Sequence, residues 1–140
     1  MTLLLSRPSL NIMQLIAFDH VNIRTNNLDA LVDWYTNIVG LRLGARPEFQ
    51  FPGAWMYLGD QAIIHLVGTK SSLSEDNNAN LEHFAIRATG MRDFRNLLES
   101  LGIAYHIKLV PGMPIAQINL KDPDGNHIHL DFDTAEYEDG

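Results

Sequence analysis

The chain contains no cysteine. That excludes a disulfide framework, a thiolate metal site and a cysteine nucleophile together, so any metal must be held by histidine or carboxylate. Cations are scarce as well: 10 Lys and Arg against 17 Asp and Glu leave a net charge of −7. Nucleic acid and anionic membrane surfaces call for the opposite sign, and both are excluded as partners. Long apolar runs are also missing. The run Leu3–Leu5 is broken by Ser6, Arg7 and Pro8, far short of a signal core or a membrane span. What is present is ordinary globular material. The 140 residues are 46% hydrophobic and 19% charged, enough for one domain or two joined half-domains with a real core. A cytoplasmic location is the expectation.

Periodicity then divides the chain. Residues 1–14 read as an N-terminal extension, with Met13 just before the first strong strand. Ile16–Arg24 alternates and is rich in β-formers. Asn26 or Asn27 can cap the helix that follows, marked by Leu28, Leu31, Tyr35 and Ile38 and stopped by Gly40. Three short β runs come next, Leu41–Glu48, Ala54–Leu58 and Gln61–Val67, the last two joined by the hairpin signal Gly59-Asp60. Residues 15–68 therefore form one βαβββ unit. The polar stretch 69–81 reads as a linker.

After the linker the pattern begins again over residues 82–133, followed by an acidic tail, 134–140. Glu82–Ala88 is a strand; Met91, Phe94, Leu98 and Leu101 mark a helix ended by Gly102. Ile103–Val110, Ile115–Lys121 and His127–Phe132 are three more strands. Asp122-Pro123-Asp124-Gly125 is a type I turn between the last two. The second unit repeats the first. Asp19-His20-Val21 aligns with Glu82-His83-Phe84, and Ile64-His65-Leu66 aligns with Ile128-His129-Leu130. His83 lies 63 residues after His20, and His129 lies 64 after His65.

Four of the six histidines thus occupy equivalent places in two repeats. A single strand histidine is more often packed or solvated than ligating. Two pairs at matched positions point instead to one divalent metal ion held by His20, His65, His83 and His129. Alternation puts His20, Asn22 and Arg24 on one face of the first strand, and His83, Ala85 and Arg87 on the matching face of its repeat. Imidazole suits Zn, Ni, Co or Fe and suits Mg or Ca poorly. Asp19, Glu82 and Asp131 are placed to orient the rings. Arg24 and Arg87 are candidates for holding an anionic substrate; Trp55 and Tyr57, with Phe49, Phe51 and Met113, are candidates for lining an apolar pocket. Core packing competes for each aromatic taken singly. His127 shares a face with His129, which allows an outer or proton-transfer role.

These motifs resemble the vicinal oxygen chelate superfamily, which includes glyoxalase I, bleomycin resistance proteins and extradiol dioxygenases. The resemblance covers Leu15 to Phe132. It rests on Asp19-His20-Val21, on the helix through Trp34-Tyr35 to Gly40-Leu41, on Gly59-Asp60 before Ile64-His65-Leu66, and on Asp122-Pro123-Asp124-Gly125-Asn126 before Ile128-His129-Leu130. It implies an α+β fold of two tandem βαβββ modules closing around a metal cleft, often across a homodimer. It also implies the same four metal positions and a small-molecule substrate chelating through vicinal oxygens. The implied function is a metal-dependent lyase or isomerase of the glyoxalase type. A non-haem iron extradiol-type dioxygenase and a drug-binding resistance protein without catalysis are the alternatives. The last ligand of each module is commonly glutamate in glyoxalase I, and here both are histidine. His129, His65 and Asp131 become the candidate proton carriers.

Overall fold

The computed structural model describes residue 13, residues 17–70 and residues 83–138. Most of the expected extension, linker residues 71–81 and Glu82 lie outside the described residues.

The first repeat folds as β1 (Val21–Thr25), α1 (Leu28–Trp34), β2 (Arg42–Gly44), β3 (Gly53–Leu58) and β4 (Gln61–Gly68). The second folds as β5 (Phe84–Arg87), α2 (Met91–Ser100), β6 (His106–Leu109), β7 (Ile115–Lys121) and β8 (His127–Asp133). Each makes a four-stranded sheet with the same order, β1-β4-β3-β2 and β5-β8-β7-β6. In both, the first and last strands run parallel, because a helix carries the chain across before the remaining antiparallel strands are laid down. The α+β architecture of paired βαβββ modules expected from the repeat is the one observed. Several strands are shorter than their β-rich sequence runs: Leu41–Glu48 yields only Arg42–Gly44, since Pro47 has no N–H to give a ladder.

Alternation sorts each sheet into two faces. Ile23, Ala54, Met56, Ile64 and Leu66 of the first sheet are buried with Leu31, Tyr35 and Ile38 of the helical segment. Ile118, Leu120, Ile128, Leu130 and Phe132 of the second are buried with Met91 and Leu98 of α2. Each such large side chain contributes roughly 1.5–3 kcal/mol by leaving water. After Trp34 the first helix widens into a π turn over Tyr35–Val39. Gly40 ends it at φ +88°, a left-handed conformation that costs glycine nothing.

The two modules are tied by a buried polar clamp. Tyr35 Oη donates to Asp122 Oδ2 at 2.7 Å, and Thr25 Oγ1 donates to Asp124 Oδ2 at 2.5 Å. Asn27, expected as a helix cap, makes no side-chain cap; its Nδ2 donates to Asp124 Oδ1 instead. The C-terminal tail performs the capping task for α2. Gly90 precedes that helix without a capping side chain, and Glu136 Oε1 accepts from the backbone N–H groups of Gly90 and Met91 at 2.8 and 3.1 Å. Replacing Glu136 by alanine is expected to lower stability by about 1 kcal/mol in urea unfolding. An unchanged midpoint would show that the cap carries no weight.

Candidate functional site

The histidines lie on the sheet faces turned away from the helices. In the first sheet His65 is in register with Asn22 of β1 and Trp55 of β3, so the three share a face. His20 stands just before β1. Its ring stacks on His65 at 3.8 Å between centroids and 10° between planes, and His65 stacks on Trp55 at 4.0 Å and 9°. His20 Nδ1 meets Asp19 Oδ2 at 2.6 Å; a carboxylate only accepts, so Nδ1 carries the proton and Nε2 the lone pair. Among the described residues no carboxylate bonds to His65. Burial, and then the neighbouring His20, pull its pKa below the ordinary histidine value, against the opposing pull of a hydrogen bond to the Ala62 backbone. The ring is held in the neutral form, the form that ligates metals and accepts protons.

In the second sheet His129 is in register with Ala85 and Asn119. It is 6% exposed, and its Nδ1 meets Asp131 Oδ1 at 2.6 Å, which again leaves Nε2 with the lone pair. The His83 ring lies 4.7 Å from His129 at 44°. His127, expected near the site, is 5.2 Å from His83 and 6.0 Å from His129. Its Nε2 is 2.8 Å from Asn119 Oδ1, and Asn119 Nδ2 in turn donates to Gln117 Oε1 at 3.4 Å. Gln117 and Asn119 were not anticipated. The alternation of Ile115–Lys121, which sets both beside His129 and Asp131, is the signal that contains them.

The structure therefore gathers the four predicted ligands as two pairs, His20 with His65 and His83 with His129. Among the described residues no group of three His, Asp or Glu is close enough to hold one ion. The donor chemistry fits a borderline metal: imidazole nitrogens, with Asp19 and Asp131 fixing the tautomers of His20 and His129. The second pair is near the required spacing, since two imidazoles about 2.1 Å from one ion place their centres roughly 4.5–5.2 Å apart. The first pair is stacked. Lone pairs lie in the ring planes, so parallel rings cannot meet at one ion until one of them turns about its side-chain bonds.

The remaining candidates are distributed over the same faces. Arg24 and Arg87 are exposed, and among the described residues neither is paired with a carboxylate. Arg87 sits in register with Asp131 beside the second pair. Tyr57 lies on the Trp55 face, but its hydroxyl donates to Ala45 O at 2.5 Å and Arg42 covers its ring at 4.9 Å. Phe49 and Phe51 stack at 5.0 Å, and Phe49 lies 6.4 Å from Trp55. Met113 is exposed. A separate cavity of about 430 Å³, lined by Thr25, Leu28, Pro52 and Lys70, opens at the far end of β1 from His20.

Residues 17–130 match the model of the Glyoxalase/Bleomycin resistance protein/Dioxygenase superfamily. The chain belongs to this superfamily. Its members are generally metal-dependent, bind small molecules and typically form dimers. The chain is 28% identical over 131 residues to Glyoxylase I 4 of Arabidopsis thaliana, a match spanning 86% of this chain and 72% of that one. Its fold is that of a glyoxalase family protein from Bacillus anthracis, with a TM-score of 0.72 at 21% identity over 87% of this chain and 98% of that one. Lactoylglutathione lyase from Agrobacterium tumefaciens superposes with a TM-score of 0.63 at 20% identity, covering 87% and 97%. Among the described residues no helix is long and apolar enough to cross a membrane.

Proposed function

We propose that the chain is a divalent-metal-dependent enzyme of the glyoxalase type, a lyase or isomerase acting on a small substrate that presents two adjacent oxygens. It works as a homodimer, each site joining His20 and His65 of one copy to His83 and His129 of the partner subunit. The observation that supports this most is the equivalence of the two pairs. Each lies on the helix-free face of its own sheet, and neither supplies more than two of the four ligands.

A zinc, nickel, cobalt or iron ion held there supplies Lewis acidity to the chelated oxygens. The chain's residues do the rest. Asp19 and Asp131 fix the rings of His20 and His129 with Nε2 outward. Arg24 and Arg87 hold the anionic part of the substrate. Each of the four ligand positions is a histidine, so the base would be a ring nitrogen of His65 set free from the ion. Trp55 keeps that ring in place and shields it from water.

Protein purified without affinity tag or chelator is expected to contain about one metal ion per chain. It is expected to isomerise the hemithioacetal of methylglyoxal and a thiol, to lose that activity in chelator, and to regain it with zinc, nickel or cobalt. The aromatic residues beside His65 favour a second reading, a non-haem iron dioxygenase on a catechol-like ring. Oxygen uptake with catechol, dependent on iron, would establish that reading in place of the first. Metal-free protein that is active or binds its ligand regardless would sink both.

A further inference from the structure

The segment between β2 and β3, Ala45 to Pro52, is short and carries two prolines and two phenylalanines. It is held at both ends. Ala45 O accepts from Tyr57 Oη, and Pro52 O accepts from the Gly68 N–H at 2.9 Å. Arg46 braces the middle: its Nη2 donates to Phe51 O at 2.8 Å, and its guanidinium lies 5.0 Å from both phenyl rings. Gly53 makes room for this brace, since a Cβ there would stand 2.8 Å from Arg46 Nη2. A loop fixed in this way loses little freedom when something binds to it.

The loop presents two phenyl rings alternating with the exposed Glu48 and Gln50. Phe49 and Phe51 are each 44% exposed. Scattered exposed phenylalanines need no explanation. These two extend an existing row, in which Phe51, Phe49, Trp55, His65 and His20 follow one another at 5.0, 6.4, 4.0 and 3.8 Å. The sheet behind the row carries no negative charge, the carboxylates near it being Glu48 beside Phe49 and Asp19 beside His20. Strands β1 to β4 contain no Asp or Glu, in a chain of net charge −7. Among the described residues Arg24, Arg42 and Arg46 pair with no carboxylate.

We infer that Phe49, Phe51 and Trp55 form a stacking subsite for a flat aromatic group of the substrate, and that the substrate is an aryl anion whose two oxygens lie at the His20–His65 end of the row. This rests on the vicinal-oxygen reading above and narrows it to a substrate class.

Mandelate and lactate share a carboxylate and an adjacent hydroxyl, and differ only in phenyl against methyl. Calorimetric titration of the full chain loaded with zinc is expected to show mandelate binding about tenfold more tightly than lactate. In the F49A/F51A double variant, whose changes fall at half-exposed positions, that preference is expected to shrink to about twofold or less with lactate unchanged. Mandelamide, neutral but otherwise alike, is expected to bind at least about fivefold more weakly than mandelate. Equal affinity for the two acids, or a preference that survives in the double variant, overturns the aromatic subsite and leaves the metal site untouched. Mandelamide binding as tightly as mandelate overturns the anionic assignment. Zinc-loaded protein that binds neither acid overturns the vicinal-oxygen reading itself.

Discussion

Equal amounts of two inactive variants, His65→Ala and His129→Ala, are expected to regain about a quarter of wild-type turnover once their subunits exchange. Each variant alone removes one ligand from every site and is expected to bind metal more than about 100-fold more weakly, since even outer partners of a ligand are worth 10–100-fold. The recovery follows from the pairing. His65 stands on the sheet of the first module with His20, and His129 on that of the second with His83. If each site takes one pair from each subunit, a mixed dimer has one site with both lesions and one with none. Half of the dimers are mixed at random exchange, and half of their sites work. A site built within one chain would give no recovery at any mixing ratio. Asp131→Asn supplies the graded case. It keeps the shape but weakens the 2.6 Å bond that sets the tautomer of His129, and metal affinity is expected to fall about 10–100-fold with the fold intact. Unaltered metal content in all three variants would remove the proposed centre altogether.

The repeat was legible because each part of it is a local pattern. The histidine positions, the strand alternation and the helix spacing all survive in the sequence, and the two sheets reproduce them strand for strand. Pairing within a module was not read from the sequence, which matched the histidines across the repeats; it arises because His20 and His83 stand just before strands that run parallel to those of His65 and His129. Side-chain torsions were not legible either. Nothing in Ile64-His65-Leu66 tells that the ring stacks flat on Trp55, whereas the equivalent His129 is taken up by Asp131 two residues on. The two modules hold equivalent histidines by different physics, His65 by ring contact and His129 by a hydrogen bond. The gap between the pairs was equally hidden, because strand patterns place residues on a face and say nothing of which faces meet. Tyr35 shows the limit most clearly. Its spacing with Leu31 and Ile38 marks it as core, which it is, but the polar end of its ring serves a partner 87 positions away.

That partner, Asp122, is the residue whose loss should unfold the protein most readily. The sequence presents it as the first residue of a turn, a position where aspartate is common and replaceable. In the structure it is 4% exposed and accepts four hydrogen bonds: from Tyr35 Oη at 2.7 Å, the Asp124 N–H at 3.0 Å, the Asn126 N–H at 2.9 Å and Asn126 Nδ2 at 2.8 Å. Alanine there strands a buried phenol and three amide donors, and a loss of about 3–4 kcal/mol is expected in urea unfolding. Tyr35→Phe removes a single bond and should cost about 1–2 kcal/mol. The two losses should not add, because the Tyr35 hydroxyl has nothing left to donate to once Asp122 is gone. The same contact predicts alkaline behaviour. Burial first, and then the charge of Asp122, raise the Tyr35 pKa far above the usual 10.0, so the folded chain keeps a proton that the unfolded chain releases. The stabilisation is complete below about pH 10 and falls by about 1.4 kcal/mol for each pH unit above it. Tyr35→Phe should abolish that slope, and a slope unchanged in the variant would place the alkaline weakness elsewhere.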